Sequence, residues 1–397
     1  MEKKVEIKNN LVTSIMLGSF AFGLMSFILP IYSKRIGGNA LAIGGLFSIF
    51  SIVTLILRPL IGKGIDKYGR KVFFVSAFFF YAISMLMFSY SSNIRLLYIS
   101  RFIQAIGSSF MWISAYSIAI DIADKEKRGS LIGQVDGAYS KGALYGAIIG
   151  FVILDKFTLI VGWSLLFKGY AIVSVIAGYI AYKYIPETIV VNNHKDTLTN
   201  KKLNINLLKL LCIVFISSIS ASMISPLLMI YLQDRFTTDV GTLATAFIPA
   251  ALVYAFLPSI LGGISDKIGR ILPMVIGLIV SGIVSLGFSH SFSIEILVAL
   301  WVIESIGIVM ASPAEEALVA DIVGERTRGS TYGLYLTVAS LGASIGPLLG
   351  GFLYDNFGHA VPFYLNGIIL LIDALVVIIL FRNYRNDIDR RCDYKSM

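Results

Sequence analysis

Apolar side chains occupy twelve long runs along this chain, separated by short polar turns. The runs lie at about residues 11–32, 40–61, 72–90, 94–120, 130–154, 158–182, 207–231, 240–261, 271–290, 293–318, 330–354 and 361–381. A helix that crosses the hydrocarbon core of a bilayer needs ~20 predominantly apolar residues. In that core the backbone has no water to bond, so segments of this kind cross as helices. The pattern predicts an all-α membrane protein with twelve transmembrane helices. The first run is too long for the core of a signal peptide and has no small-residue cleavage site after it. It is expected to be a retained helix.

Composition agrees with this. Of the 397 residues, 56% are hydrophobic and 14% charged, against roughly 25% charged in a soluble domain. The net charge of +9 does not imply nucleic acid as a partner, because the basic residues cluster in the turns between runs. With the N-terminus inside, the inner turns hold most of them, including Lys63, Lys67, Arg70, Lys71, Lys125, Lys127, Lys201 and Lys202. The outer turns hold Lys34, Arg35, Arg95, Lys156 and Arg235. That asymmetry predicts a multi-pass protein of the cell membrane with both termini cytoplasmic.

The longest polar stretch, 185–206, divides the chain. It predicts an N-terminal six-helix half at 1–184, a cytoplasmic linker at 185–206, a C-terminal half at 207–382 and a basic tail at 383–397. The halves repeat at an offset of 200. Gly62, Asp66, Lys67, Gly69 and Arg70 recur as Gly262, Asp266, Lys267, Gly269 and Arg270. Asp121, Arg128 and Gly129 recur as Asp321, Arg328 and Gly329. Gly142, Gly146 and Gly150 recur as Gly342, Gly346 and Gly350. Gln104 aligns with Glu304. An even number of helices per copy gives both copies the same orientation, as two pseudo-symmetric halves with a solute site expected at the midplane.

The segment from Gly62 to Lys71 resembles the signature loop of the major facilitator superfamily, with a degenerate copy at 262–270. The resemblance covers nearly the whole chain, most closely to short twelve-helix drug:proton antiporters. It implies that Gly62, Asp66, Gly69, Arg70 and Lys71 form a cytoplasmic gate, with Gly262, Asp266, Gly269 and Arg270 as the weaker counterpart. Arg101, Gln104 and Gly107 resemble a motif of proton-coupled members, whose arginine is tied to proton transfer. Gly342, Gly346, Pro347, Gly350 and Gly351 resemble the glycine-proline antiporter motif. In those exporters it lies in the fifth helix, whereas here the fifth helix has Ala147 at the proline position and the eleventh carries the full form.

Charges inside the runs are the other candidates, because a charged side chain at membrane depth is costly and usually functional. Asp136, Glu304, Arg101 and Asp373 are expected to take part in proton coupling. Arg101, Gln104, Lys141, Tyr145 and Glu304 are expected to line the solute cavity, with Phe20, Phe22 and Tyr139 as further aromatics. Asp136 and Lys141 read as buried charges five residues apart, too far around the helix to pair with each other. Glycines at every fourth position (142, 146, 150) allow close helix contact.

No phosphate-binding loop, metal-ligand cluster or nucleophile elbow is present in the sequence. The chain is expected to be neither an enzyme nor cofactor-dependent. Its partners are expected to be a small solute, protons and the lipid bilayer, with a single chain forming a complete pathway. Two readings remain open: proton-coupled efflux of drugs or amphiphilic metabolites, or proton symport or facilitated uptake of a sugar, organic anion or peptide. A membrane sensor or intramembrane enzyme lacks a signalling domain or a catalytic constellation here.

Overall fold

A computed structural model describes residues 2–123, 128–188, 205–257, 268–323 and 328–381. Gly262 and Asp266, most of the linker and the basic tail lie outside the described residues. The described chain is almost entirely helical. We number the helices α1 (Glu2–Gly18), α2 (Phe22–Arg35), α3 (Ala40–Tyr68), α4 (Arg70–Ser89), α5 (Ile94–Ile122), α6 (Arg128–Lys156), α7 (Leu159–Tyr184), α8 (Ile205–Ile224), α9 (Leu227–Arg235), α10 (Val240–Phe256), α11 (Ile271–Phe288), α12 (Ile294–Val323), α13 (Arg328–Phe357) and α14 (Val361–Phe381).

Among the described residues, eleven segments are long and apolar enough to cross a membrane, and Val240–Tyr254 is a shorter apolar helix. Their outward faces carry Phe79, Ile172, Leu375 and Ile379, all more than half exposed. So much exposed apolar surface marks a molecule whose solvent is lipid.

Two of the runs are interrupted. Between α1 and α2 the backbone tightens, with Ser19 N–H bonded to Met16 O and Phe22 N–H to Ser19 O. The Ser19 hydroxyl donates to Ile15 O at 2.7 Å, and side-chain competition of this kind bends helices. The matching break between α8 and α9 falls at Ser225-Pro226. Proline lacks the N–H that would continue the ladder.

The chain divides into two compact units. One runs to Thr199 with Asp239–Gly241, and the other comprises Asn200–Thr238 and Thr242 onward. In the first, α4 packs on α5 and α7, and α1 on α6 and α7. Its core includes Leu11, Ile15, Phe74, Phe78, Met111 and Ala177. In the second, α11 packs on α12 and α14, and α8 on α13 and α14. Its core includes Leu210, Val214, Met274, Leu318, Val377 and Phe381. The packing scheme repeats along with the sequence.

The glycine series explains part of that repetition. A Cβ at Gly142 or Gly146 would strike the backbone carbonyls of Met16 or Phe20. A Cβ at Gly342, Gly346 or Gly350 would strike those of Phe215, Ile219 or Met223. Both combs therefore seat one helix against the backbone of a broken one. Caps repeat as well. Asn93 accepts from Leu96 N–H at 2.9 Å and Ser293, 200 residues on, from Ile296 N–H at 3.4 Å. Gly69 (φ 96°) and Gly269 (φ 88°) turn the chain in a region that other residues rarely adopt.

Candidate functional site

In the first unit, a buried cation sits among rings. Arg101 of α5 is 6% exposed. Its guanidinium lies 4.3 Å from the ring centre of Phe50 and 5.3 Å from that of Phe47. Its Nη1 donates to Gln104 Oε1 at 2.6 Å, and its Nε to Leu46 O at 3.2 Å. No carboxylate pairs with it among the described residues. The cation is stabilised instead by ring faces, a carbonyl and an amide. Arg101 and Gln104 are thus brought together as the sequence spacing suggested.

The rings extend further. Phe22 contacts Phe50, Tyr81 and Tyr139 at 6.5, 5.4 and 5.9 Å between centroids. Tyr139 meets Trp112 at 5.1 Å, and Trp112 meets Tyr116 at 5.3 Å. The row ends where the Tyr116 hydroxyl donates to Asp136 Oδ1 at 2.7 Å. Residues from α2, α3, α4, α5 and α6 therefore form one aromatic array with Arg101 at one end and Asp136 at the other. No periodicity in the sequence marks this array, because its members come one or two from each helix.

The second unit carries the opposite charge. Glu304 of α12 is 3% exposed, and among the described residues its Oε1 has no hydrogen-bond partner. Tyr254 of α10 lies within electrostatic reach of it. Ser281 donates to the Glu304 carbonyl at 3.3 Å. Where the first unit stacks Phe47 on Arg101, the second pairs Phe247 with Trp301 at 5.8 Å. The two copies of one packing position thus hold a cation with an amide and a ring with an acid.

Other candidates are placed differently from expectation. Asp136 and Lys141 were read as buried charges, but both are exposed, as is Tyr145 at 48%. The face of α6 that packs on α1 and α2 is its glycine face, so the charged positions turn away from the core. Asp373 is buried, but on α14 against α8, where Ser217 donates to its Oδ2 at 2.6 Å. It does not meet Glu304. Phe20 contributes its backbone carbonyl to the Gly146 contact.

At the loop motif, Arg70 holds several groups together. Its Nε donates to Asp121 Oδ2 at 3.1 Å and its Nη1 to Ile65 O at 3.1 Å. Its Nη2 lies 3.4 Å from Asp66, which is 72% exposed, so the more enclosed Asp121 pair is the stronger. Glu187 was missed at the sequence level. Its carboxylate accepts from the backbone N–H groups of Arg70 at 2.8 Å and Lys71 at 3.2 Å, capping α4 in place of the side chain that Gly69 lacks. A Cβ at Gly69 would collide with Glu187. Thr188 closes the group on Asp121 at 2.9 Å. The available signal was an acid directly after the sixth run, at the head of a basic linker.

The Major Facilitator Superfamily model matches residues 11–207 and 210–391. The chain belongs to the Major Facilitator Superfamily. Members of this superfamily similar to the chain include an MFS-type transporter of Methanocaldococcus jannaschii, 27% identical over 95% of this chain and 97% of that protein. Multidrug resistance protein 1 of Bacillus subtilis is 24% identical over 95% and 97%. The human synaptic vesicular amine transporter is 27% identical over 89% of this chain and 68% of its own length. A solved bacterial homologue of the human lysosomal transporter Spinster shares the fold with a TM-score of 0.77 at 16% identity, covering 97% and 98% of the two chains. The nucleoside transporter NupG does so with a TM-score of 0.78 at 12% identity, over 96% and 100%. The protein is a multi-pass membrane transporter of small solutes, and not an enzyme.

Proposed function

We propose that this superfamily member is a proton-coupled exporter of drug-like or amphiphilic small molecules, working by alternating access in the plasma membrane as a monomer, with both termini cytoplasmic. The observation that carries the reading is Glu304. An ionised carboxylate buried at membrane depth without a counter-charge costs several kcal/mol, and binding a proton removes that cost. A group of this kind can load and release a proton as access alternates. Coupling then requires that solute binding favour one protonation state. Its repeat mate Gln104 cannot ionise, so the proton site belongs to one half only.

The named relatives support the solute class, since they include multidrug resistance proteins and amine transporters. Uptake of an anion would need a free cation in the cavity wall. Arg101 does not offer one, being already enclosed by Phe47, Phe50 and Gln104. Arg70, Asp121 and Glu187 form the cytoplasmic gate cluster, and its release is the expected accompaniment of inward opening.

The test is proton flux in proteoliposomes under an imposed pH gradient, across lipophilic cations, sugars and organic acids. Proton release driven by a lipophilic cation and lost in Glu304→Gln is the expected result. Proton-coupled uptake of a sugar or anion, or full gradient-driven transport by Glu304→Gln, would overturn the reading.

A further inference from the structure

The second unit holds an enclosed carboxylate to which the coupling scheme gives no part. Asp373 lies twelve residues into α14, a helix of 21 residues, so it sits near mid-depth of that span. It is 3% exposed. Ser217 bonds Oδ2, and no hydrogen bond to Oδ1 occurs among the described residues. The side chain borders a cavity of about 360 Å³ in the groove between α8 and α14. Lys209, Cys212 and Ile216 line it from α8, and Ile369 and Ile372 join Asp373 from α14. The α14 residues recur at i, i+3 and i+4 and so share one face. Asp373 apart, the walls near mid-depth are aliphatic.

A carboxylate in such surroundings is stabilised by a proton or by a cation, and the groove beside Asp373 has room for a cation. Lys209 is not that cation. It lies eight residues from Ser217 on α8, or ~12 Å along the helix axis, and is exposed toward the helix end. A lipid headgroup amine stays at the interface, at the level of Lys209 or beyond it. The cation must instead be carried to mid-depth on an apolar body. A cavity of this volume falls in the ordinary range for small-molecule sites, roughly 300–1,000 Å³.

We propose that the α8–α14 groove is a second binding site, for a lipophilic monocation whose apolar groups pack on Ile216, Ile369 and Ile372 and whose charge pairs with Asp373. The site lies wholly within the second unit and is separate from Glu304. It stands whether or not the chain couples transport to protons.

Cys212 supplies a reporter inside the groove. The chain has two cysteines, so Cys392→Ser leaves Cys212 as its single thiol. The experiment follows alkylation of Cys212 by N-ethylmaleimide in the full chain in nanodiscs, with and without tetraphenylphosphonium. At roughly ten times its Kd, a bound cation slows alkylation roughly tenfold by occupancy alone. That protection is expected in the Cys392→Ser background, retained in Asp373→Glu and lost in Asp373→Asn. Ile372→Trp, which fills the groove and keeps the acid, is expected to lose it too, so the proposal is tested even if the Asn variant does not fold. An unprotected Cys212, or protection that persists in both Asp373→Asn and Ile372→Trp, would overturn it. Protection by dodecyl sulfonate instead of the cation, lost in Lys209→Gln, would overturn it in favour of an anionic amphiphile.

Discussion

The hydroxyl of Tyr116 donates to Asp136 Oδ1 at 2.7 Å, and the other half builds a similar rung one residue out of the 200-residue register, with the acid and the tyrosine exchanged between helices. There Tyr335 of α13 donates to Glu315 of α12 at 3.1 Å. In both cases the partners are 20 residues apart and join consecutive helices. One helix gives the tyrosine in the first half and the acid in the second. The two contacts use neighbouring positions of the repeat, not the same ones.

Asp136 is therefore expected to govern rate and not coupling. Asp136→Asn should slow transport while leaving the ratio of protons to solute unchanged. Glu304→Gln should change the ratio itself. Paired measurement of solute and proton flux separates the two, and an altered ratio in Asp136→Asn would assign proton carriage to the exposed acid. In a double-mutant cycle with Tyr116→Phe, the pair should show a coupling of about 0.5–1.5 kcal/mol in thermal unfolding.

Gly69 and Glu187 should behave as one unit. Gly69→Ala forces a side chain into a φ of 96° and into the Glu187 carboxylate, with an expected cost of about 1–3 kcal/mol. Glu187→Ala alone removes the cap of α4, worth roughly 1 kcal/mol. In combination the losses should fall short of their sum, because the second change removes the collision. Thermal unfolding of the solubilised protein reads this, and strict additivity would refute the coupling.

The two glycine combs should tolerate no side chain. Gly146→Val and Gly346→Val drive a branched group into the carbonyls of Phe20 and Ile219, and folded protein should be largely lost on size-exclusion chromatography. Among the described residues, Gly133 has no neighbour within 4 Å of an added Cβ. Gly133→Ala should therefore be stabilising by up to ~1 kcal/mol through helix propensity alone. Equal behaviour of the three variants would show that the combs do not set the packing.

Arg101→Lys keeps the charge and loses the flat guanidinium. An ammonium cannot lie across Phe50 while bonding both Gln104 and Leu46 O, so the variant should lose about 1–2 kcal/mol of stability. Gln104→Leu should cost a similar amount by stripping an acceptor from a buried cation. A lysine variant as stable as the parent would show that charge alone matters at this position.

Much of the architecture could be read before any coordinates. The apolar runs located the spans, and the repeat at 200 residues announced two related halves, whereas the paired caps Asn93 and Ser293 were found only in the structure. The spacing of Arg101 and Gln104 placed them together correctly. The break at Ser19 was not read, because a long apolar run gives no sign of a local turn where no proline marks it, and the one at Ser225 was passed over although Pro226 follows it. Glu187 was passed over because its partner, the N-terminus of α4, lies 117 residues away in the chain. The aromatic array escaped notice because it is assembled from five helices.

What the sequence determined by itself was the number and place of the spans and their duplication. Those depend on local apolar length and on identity between copies, and a bilayer acts on each segment almost independently. What only the tertiary structure decided was which face of each helix turns inward. In water a helix declares its buried face by contrast with its polar one. In lipid both faces are apolar, and that contrast is lost. For this reason Asp136 and Lys141 could be mistaken for buried charges, while Asp373 and Glu304 could not be assigned to separate places. Close contact through the glycine faces and the packing of α8 on α14 settled those positions.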